Sequence, residues 1–221
     1  ADGLDAVTTT SPAVAHVVKR HFPRVEVRAS VNLRIGEVAA LELAADLFDS
    51  FHVQRDYNRD LGRLAELGEW ARRRGKTLHL LANSGCMRFC SGQTFHDNCV
   101  AHEAELDEQE RIEGFHPHFC WRYLADRGHW PTILANTWVR PEDLHHYEAM
   151  FPVVKLATRM HAQPGLVVGA YAAGRFHGNL LDLFEPAFSR AVAPYIIDND
   201  RFPADWFERS CELARTGGGE E

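Results

Sequence analysis

The stretch "NRDLGRLAELGEWARRRGKTLHLLANSGC" (58–86) contains a helix pattern, a stop signal and a strand pattern in succession. Apolar side chains recur on one stripe of 58–75 and predict an amphipathic helix that ends at Gly75. The stripe consists of Leu61, Leu64, Leu67 and Ala71. "KTLHLLAN" (76–83) then predicts a strand, and Cys86 follows shortly after its end.

The segments before this stretch repeat the alternation of strands and helices. One helix is predicted over 11–22, with Ser11 as its N-cap and Pro12 as its first residue, and a second over 36–48. Strands are predicted over 5–8, 25–31 and 51–54. Strict alternation in the second strand places Val25, Val27, Ala29 and Val31 on one face.

The pattern resumes in the C-terminal part of the chain. Strands are predicted over 131–136 and 153–157. Helices are predicted over 140–151, 164–176 and 202–215. Strands that alternate with helices are typical of α/β proteins with a parallel sheet.

The number of strands sets the expected architecture. Roughly five are visible, fewer than the eight of a closed α/β barrel. We therefore expect TIM-barrel-like parallel βα units in an incomplete barrel that lacks its N-terminal strands. Residues 1–215 are expected to form a single domain, as the C-terminal part of a longer barrel, and 216–221 a flexible tail.

Composition narrows the class of function. A net charge of −7 disfavours a protein that coats nucleic acid through charge alone. No run approaches the roughly 18 apolar residues of a membrane span, and no secretory signal pattern begins the chain. We expect a cytoplasmic location, where thiols stay reduced. The odd number of cysteines, five, also fits poorly with a full disulfide framework.

The segment "NSGCMRFCSGQTFHDNCVAHE" (83–103) holds three of those five cysteines. It leaves the carboxyl end of a predicted strand, where parallel α/β folds carry their chemistry. Cys86 and Cys90 are four residues apart, so one helical turn or a tight loop puts both thiols on one side. Four thiolates suit tetrahedral zinc or an iron–sulfur cluster. The alternative is that these cysteines are buried free thiols.

Histidines accompany the cysteines. His96 and His102 flank Cys99 and are candidate catalytic acid–base groups, because imidazole titrates near neutral pH. They are also candidate zinc ligands beside Cys86 and Cys90, or residues that cap a helix. A second pair, His116 and His118, lies just before Cys120, either in the same pocket or at the surface.

Three cations are candidate substrate-binding residues: Arg140 at a strand-to-helix junction, and Lys155 and Arg159 around a strand. Such cations hold carboxylates or phosphates, and a lysine within an apolar strand must be paired or directed into a pocket. The alternative is a structural salt bridge to Glu142, Asp143 or Asp198. Asn83 is a further candidate, either as a residue that orients the substrate or as part of an Asx turn.

The order of several segments resembles that of the collagenase-like peptidases, family U thirty-two. "LLANSGCMRFCSGQTFHDNCVAH" (80–102) is similar to that family's stretch of a strand, two cysteines, Phe-His and a second His. Further similar segments are 27–35, 48–61, 138–148, 153–159 and 197–200. The resemblance covers nearly the whole chain. It implies a TIM-barrel-like fold whose cysteines hold a 4Fe–4S cluster.

The resemblance also implies ligands and activities. By position, Cys86, Cys90, Cys120 and Cys211 correspond to the cluster ligands, while Cys99 is left over. Relatives include proteins that hydroxylate transfer RNA, ribosomal RNA or ubiquinone precursors without oxygen. The leading hypothesis is an iron–sulfur enzyme that hydroxylates or otherwise oxidatively modifies a small molecule, with an RNA base as the alternative substrate.

Two alternatives belong to other classes of protein. One is a zinc-dependent hydrolase or peptidase. The other is a non-catalytic subunit that completes its site with a homo- or heterodimer partner. The absence of an H-E-x-x-H motif weakens the peptidase interpretation.

Overall fold

The fold is a five-stranded parallel sheet that curls into a half-barrel. The structure, a computed structural model, describes residues 3–101 and 118–216. The strands are β1 (Ala6–Thr9), β2 (Glu26–Ala29), β3 (Ser50–His52), β4 (Thr77–Leu81) and β5 (Val153–Lys155). They pair in chain order, and each neighbouring pair is parallel. The predicted α/β, TIM-barrel-like arrangement is therefore confirmed.

Helices alternate with the strands. The first four are α1 (Pro12–His21), α2 (Val38–Ala44), α3 (Leu61–Arg74) and α4 (Gln93–Ala101). They are followed by α5 (Phe119–Leu124), α6 (Pro131–Leu134), α7 (Pro164–Ala173), α8 (Ser189–Val192) and α9 (Trp206–Thr216). Short 3₁₀ helices include Arg55–Tyr57, Pro141–His146 and Leu180–Leu183.

Local signals begin α1 and end α3 at the predicted residues. The Ser11 hydroxyl accepts a hydrogen bond from the Val14 backbone N–H, and Pro12 is the first residue of α1. Gly75 caps α3 at φ 61°, a left-handed conformation that glycine adopts without a Cβ penalty.

The two faces of the sheet differ in polarity. One face is apolar and fully buried, and its Phe51 ring lies 5.9 Å from the Trp70 ring of α3. This face also includes Val27, Ala29, Leu78 and Leu80. The opposite face carries Glu26, Arg28, Ser50, His52, His79 and Lys155, because successive side chains of a strand point to opposite sides. The core thus lies between the sheet and its helices.

The strand predicted over 131–136 is wrong. Pro131–Leu134 is a short helix, in which the Ile133 N–H bonds to Trp130 at 2.9 Å. β4 instead pairs directly with β5. A short apolar run does not distinguish a strand from a buried helical turn, and the proline favours a helix start here.

The helix predicted over 140–151 is correct only in part. A 3₁₀ helix covers Pro141–His146, and turns follow it. The buried Tyr147 hydroxyl donates to the Asn58 carbonyl at 2.6 Å, so a tertiary contact holds the chain where a longer helix was predicted.

None of the helices in the described part of the chain has the length and apolar character to cross a membrane.

Candidate functional site

A cavity of about 560 Å³ lies where β3, β4 and β5 end. β3 leads into the 3₁₀ helix Arg55–Tyr57, and β4 leads into the loop 83–86. The lining residues include Arg55, Cys86, Trp121, Ala157, Glu185 and Arg190. This volume is within the range of small-molecule sites, and carboxyl strand ends are where α/β barrels bind their ligands.

A small thiol pocket of about 20 Å³ adjoins this cavity. Its walls include the predicted cysteines Cys86, Cys90 and Cys120, together with His96 and His118. Cys86, His96 and His118 also line the larger cavity, so the two spaces share a wall. The fold therefore brings together three cysteines and two histidines from two separate segments of the chain, 86–96 and 118–120.

Asp56 holds the loop that carries Cys86 and Cys90. Its carboxylate accepts hydrogen bonds from the Phe89 backbone N–H and, at 2.8 Å, from the Gln54 amide. Arg88 donates to the Asp56 carbonyl at 2.8 Å. Phe89 has a φ of 52°, which is uncommon for a residue with a large side chain. These contacts fix the turn between the two thiols from the end of β3.

Burial favours the protonated thiol at Cys86 and Cys120 when no metal is bound. Burial, with a smaller contribution from the neighbouring Cys86 and Cys90, raises the pKa of Cys120 to about 11. Burial also raises the pKa of Cys86, against the opposing influence of the Arg55 cation. A metal ion would displace these protons, since the thiolate is the binding form.

His96 is a polar group with unused bonding capacity in this pocket. Its Nε2 atom is buried and has no hydrogen-bond partner, and its ring centroid lies 4.5 Å from that of His118. Burial lowers the pKa of His96, which favours the neutral imidazole. A neutral imidazole accepts a proton or binds a metal.

Two pairings in the cavity were not predicted from the sequence, although Arg55 by itself was a lower-ranked candidate cation. Arg55 and Asp97 form a buried ion pair with distances of 3.0 and 2.9 Å from the Arg55 Nη2 atom to the carboxylate oxygens. Glu185 has a buried Oε2 atom without a hydrogen-bond partner. Glu185 lies beside Ser84 through a parallel β-bridge, which is a long-range contact that no local pattern predicts.

Lys155 ends β5 and is partly buried near the cavity. Burial is the main cause that lowers its pKa, and the Arg55 and Arg159 cations lower it further. Asp97 and Glu185 oppose this shift. Lys155 and the exposed Arg159 thus lie in the electrostatic surroundings of the site, and their role in substrate binding stays a prediction.

Arg140 and Asn83 make structural contacts. Arg140 forms a bidentate pair with Asp143, with distances of 2.8 and 2.7 Å, which is the salt-bridge alternative. The amide of Asn83 donates to the Ala157 and Leu183 carbonyls and accepts from the Ala157 N–H. Because these bonds use its donors and its oxygen, Asn83 joins β4 to the following segments and is not free to orient a substrate.

Cys211 lies apart from the other three predicted ligands. It is on α9, does not line the thiol pocket, and has Arg59, Asp143 and Glu208 as its charged neighbours. Cys99 is buried in α4 and does not line the pocket either. The predictions for His102 and His116 lie outside the described residues.

The thiol pocket does not have coordination geometry in this structure. Across 3–101 and 118–216, no three His, Cys, Asp or Glu side chains are close enough to hold a metal ion. The donors line one pocket, and binding would require them to move closer together.

A larger cleft of about 820 Å³ lies elsewhere on the molecule. Trp130, Tyr195, Phe202 and Trp206 contribute to its walls, and none of the sequence-predicted site residues does. Size alone would favour it, but the smaller cavity has the strand ends, the thiols and the buried charges.

Fold and site together define an α/β half-barrel protein with a thiol pocket beside a small-molecule cavity. Over 110 residues the chain is 26% identical to a protein of Methanocaldococcus jannaschii described as an uncharacterized protease. This match covers 49% of the chain and 32% of that protein, so the chain spans about a third of its relative's length. The similarity covers part of each chain and does not by itself assign this chain to a family.

No family model matches the chain, and no solved structure matches it.

Proposed function

We propose that the protein is an iron–sulfur enzyme, related to the collagenase-like peptidases, that oxidatively modifies a small molecule bound in the cavity. The observation that carries the proposal is the shared pocket of Cys86, Cys90 and Cys120, which adjoins the cavity through Cys86. Thiolates are the ligands that iron–sulfur clusters require.

The donor set of the pocket fits such a group. Three thiols supply three ligands, and the fourth comes from His96 or Cys211. His96 is favoured by position, because it lines the pocket and its buried Nε2 atom has no partner. Cys211 is favoured by the family resemblance, and it would have to move with α9 to reach the pocket.

The residues of the chain then have separate tasks. Trp121 and Phe184 provide apolar cavity walls, while Glu185 offers a carboxylate oxygen to a hydrogen-bond donor of the substrate. Lys155 supplies a nearby cation. A bound cluster would supply electron transfer or an open iron to which a substrate binds.

A zinc site is the second candidate, and the size of the pocket favours it. About 20 Å³ exceeds the roughly 10–15 Å³ that one water needs, so a single ion has room there. Three thiolates and one imidazole form a closed tetrahedral zinc set. A four-iron cluster would need additional space from the neighbouring cavity.

Metal analysis of anaerobically purified protein tests the proposal. Iron and acid-labile sulfide in equal amounts, with broad absorption near about 400 nm, are expected from a 4Fe–4S cluster. Stoichiometric zinc in a colourless protein would support the second candidate. A folded protein that binds neither metal after reconstitution contradicts both.

Matched cysteine variants locate the centre. Cys86→Ser is expected to lose most of the metal, whereas Cys99→Ser is the control and should retain it, because Cys99 is buried outside the pocket. His96→Ala and Cys211→Ser then identify the fourth ligand. Of these two variants, the one that retains less metal identifies the fourth ligand. If Cys86→Ser retained its metal, the assignment of Cys86 as a ligand would be refuted.

A further inference from the structure

The guanidinium of Arg55 is a buried cation in the cavity that adjoins the thiol pocket. Arg55 is 6% exposed and lines the cavity together with Cys86. It lies in the 3₁₀ helix after β3, while its partner Asp97 is on α4, 42 residues further along the chain. The ion pair therefore bridges the sheet to the helix that carries His96.

Helix α4 holds the guanidinium from two adjacent turns. Asp97 accepts both hydrogen bonds from Arg55 Nη2. Gln93, with its amide oxygen turned towards the guanidinium, accepts from Arg55 Nη2 and Nε. Gln93 and Asp97 are four residues apart and thus lie on the same face of a helix. The orientation of the arginine is fixed by these three acceptors.

The charge of Arg55 acts on Cys86. Arg55, Asp97 and Cys86 line the same cavity, and Gln93 and His96 of α4 line the adjoining thiol pocket together with Cys86. Arg55 lowers the pKa of Cys86 against burial, and Asp97 raises it. Arginine and aspartate thus act on the same sulfur with opposite signs.

A metal centre with thiolate ligands collects negative charge in a place that water does not screen. We infer, on the basis of the proposed function, that Arg55 is the counter-charge and positioning residue of the thiolate centre and that Asp97 moderates its charge. The pair thereby sets the affinity for metal and, for an iron–sulfur cluster, its reduction potential, which depends on nearby charge.

Two charge-removing variants give opposite signatures. Arg55→Gln removes the cation, so the more negative reduced cluster is less stable and the midpoint potential falls. Asp97→Asn leaves the cation unbalanced, so the potential rises. For a zinc centre, Arg55→Gln is expected to weaken binding about 10- to 100-fold, the range for lost outer-shell partners, and Asp97→Asn to tighten it.

The experiment uses the full chain with iron and sulfide, or zinc, as the probe. Redox titration, or competition with a zinc chelator, is measured for the parent and both variants. Arg55→Lys keeps the charge without the planar fork and is expected to restore part of the shift. Arg72→Gln is the control, because Arg72 pairs bidentately with Glu69 at the exposed surface of α3.

Each outcome decides the inference. Opposite shifts support it. Shifts of the same sign, or none, overturn it, and the proposed function is left intact where the parent still holds iron and sulfide. If Arg55→Gln does not fold, an unchanged potential or affinity in Asp97→Asn overturns it. A parent chain without iron or zinc after reconstitution overturns both.

Discussion

Two buried arginine–aspartate pairs invite comparison. In the pair of Arg55 and Asp97 the side chains are 7% and 17% exposed, and in the pair of Arg140 and Asp143 they are 11% and 8% exposed. Burial and geometry are therefore similar. The surroundings differ, because the first pair faces Cys86 and the cavity.

The pair of Arg140 and Asp143 is surrounded by structural contacts and not by the cavity. Arg140 and Asp143 are three residues apart at the start of a 3₁₀ helix, and the guanidinium lies 4.8 Å from the centre of the Phe202 ring. An ion pair of the same chemistry thus has a structural role in one place and faces a candidate site in the other. Residue type and burial do not distinguish these roles, but the neighbours of each pair do.

The largest expected effect is on the structural pair. Arg140→Ala leaves Asp143 charged and unpaired in the interior, and we expect a loss of about 3–5 kcal/mol in the free energy of unfolding. Urea denaturation measures it. The exposed control Arg72→Ala, which breaks a surface pair, should lose less than about 1 kcal/mol.

A second variant separates charge from packing at this position. The double substitution Arg140→Met with Asp143→Leu is expected to recover most of the lost stability, because a buried pair is often replaceable by apolar side chains. It should leave metal binding unchanged, since neither residue lines the thiol pocket. Loss of metal in this folded variant would remove the distinction between the two pairs.

Local patterns predicted much of the fold. Alternating apolar residues located β2, and Ser11, Pro12 and Gly75 marked helix ends whose hydrogen bonds involve only nearby residues. The pair Cys86 and Cys90 was also recognisable, because a loop of four residues leaves little freedom. In these cases the interactions that decide the structure lie within one segment.

Tertiary contacts decide what the sequence did not predict. The short apolar run 131–136 contains a helix, and β4 pairs with β5 rather than with this run. Arg55 and Asp97 meet across 42 residues, and Ser84 meets Glu185 across the sheet edge. A single sequence contains no signal for such pairings, so the polar part of the cavity became visible only in three dimensions.

The next prediction concerns pH and the strand that leads to Arg55. Burial lowers the pKa of His52 from 6.5 to about 4, while its Nδ1 atom lies 2.8 Å from the Ala29 carbonyl. The unfolded chain binds a proton near pH 6.5 and the folded chain does not, so stability falls as the pH drops from 6.5 to about 4. This shift corresponds to about 3 kcal/mol.

Urea denaturation at several pH values measures this effect. His52→Gln should flatten the pH dependence in that window, and His16→Gln, a substitution on the exposed side of α1, should not. An unchanged slope in His52→Gln would mean that other groups cause the acid sensitivity. In that case the buried His52 would not add a pH-dependent loss of stability to the region of Arg55. The two regions would then differ only in the charged groups around each arginine.

The smallest expected effect tests how tightly the thiol loop is packed. A Cβ atom at Gly85 would lie 2.6 Å from the Pro186 carbonyl oxygen and 3.0 Å from the Phe184 Cβ atom, so the backbone must shift. We expect Gly85→Ala to lower the free energy of unfolding by about 1–3 kcal/mol. It should also weaken metal binding, because Cys86 is the next residue.

Gly169→Ala is the matched control for this substitution. Gly169 lies within α7, and a Cβ atom there meets no atom within 4 Å. Alanine should therefore stabilise the helix by up to about 1 kcal/mol without affecting metal. Equal metal binding in both variants would show that the loop tolerates displacement. The close packing of 83–86 would then not be what holds Cys86 in the pocket, and Arg55 and Asp56 would be left to hold it from the end of β3.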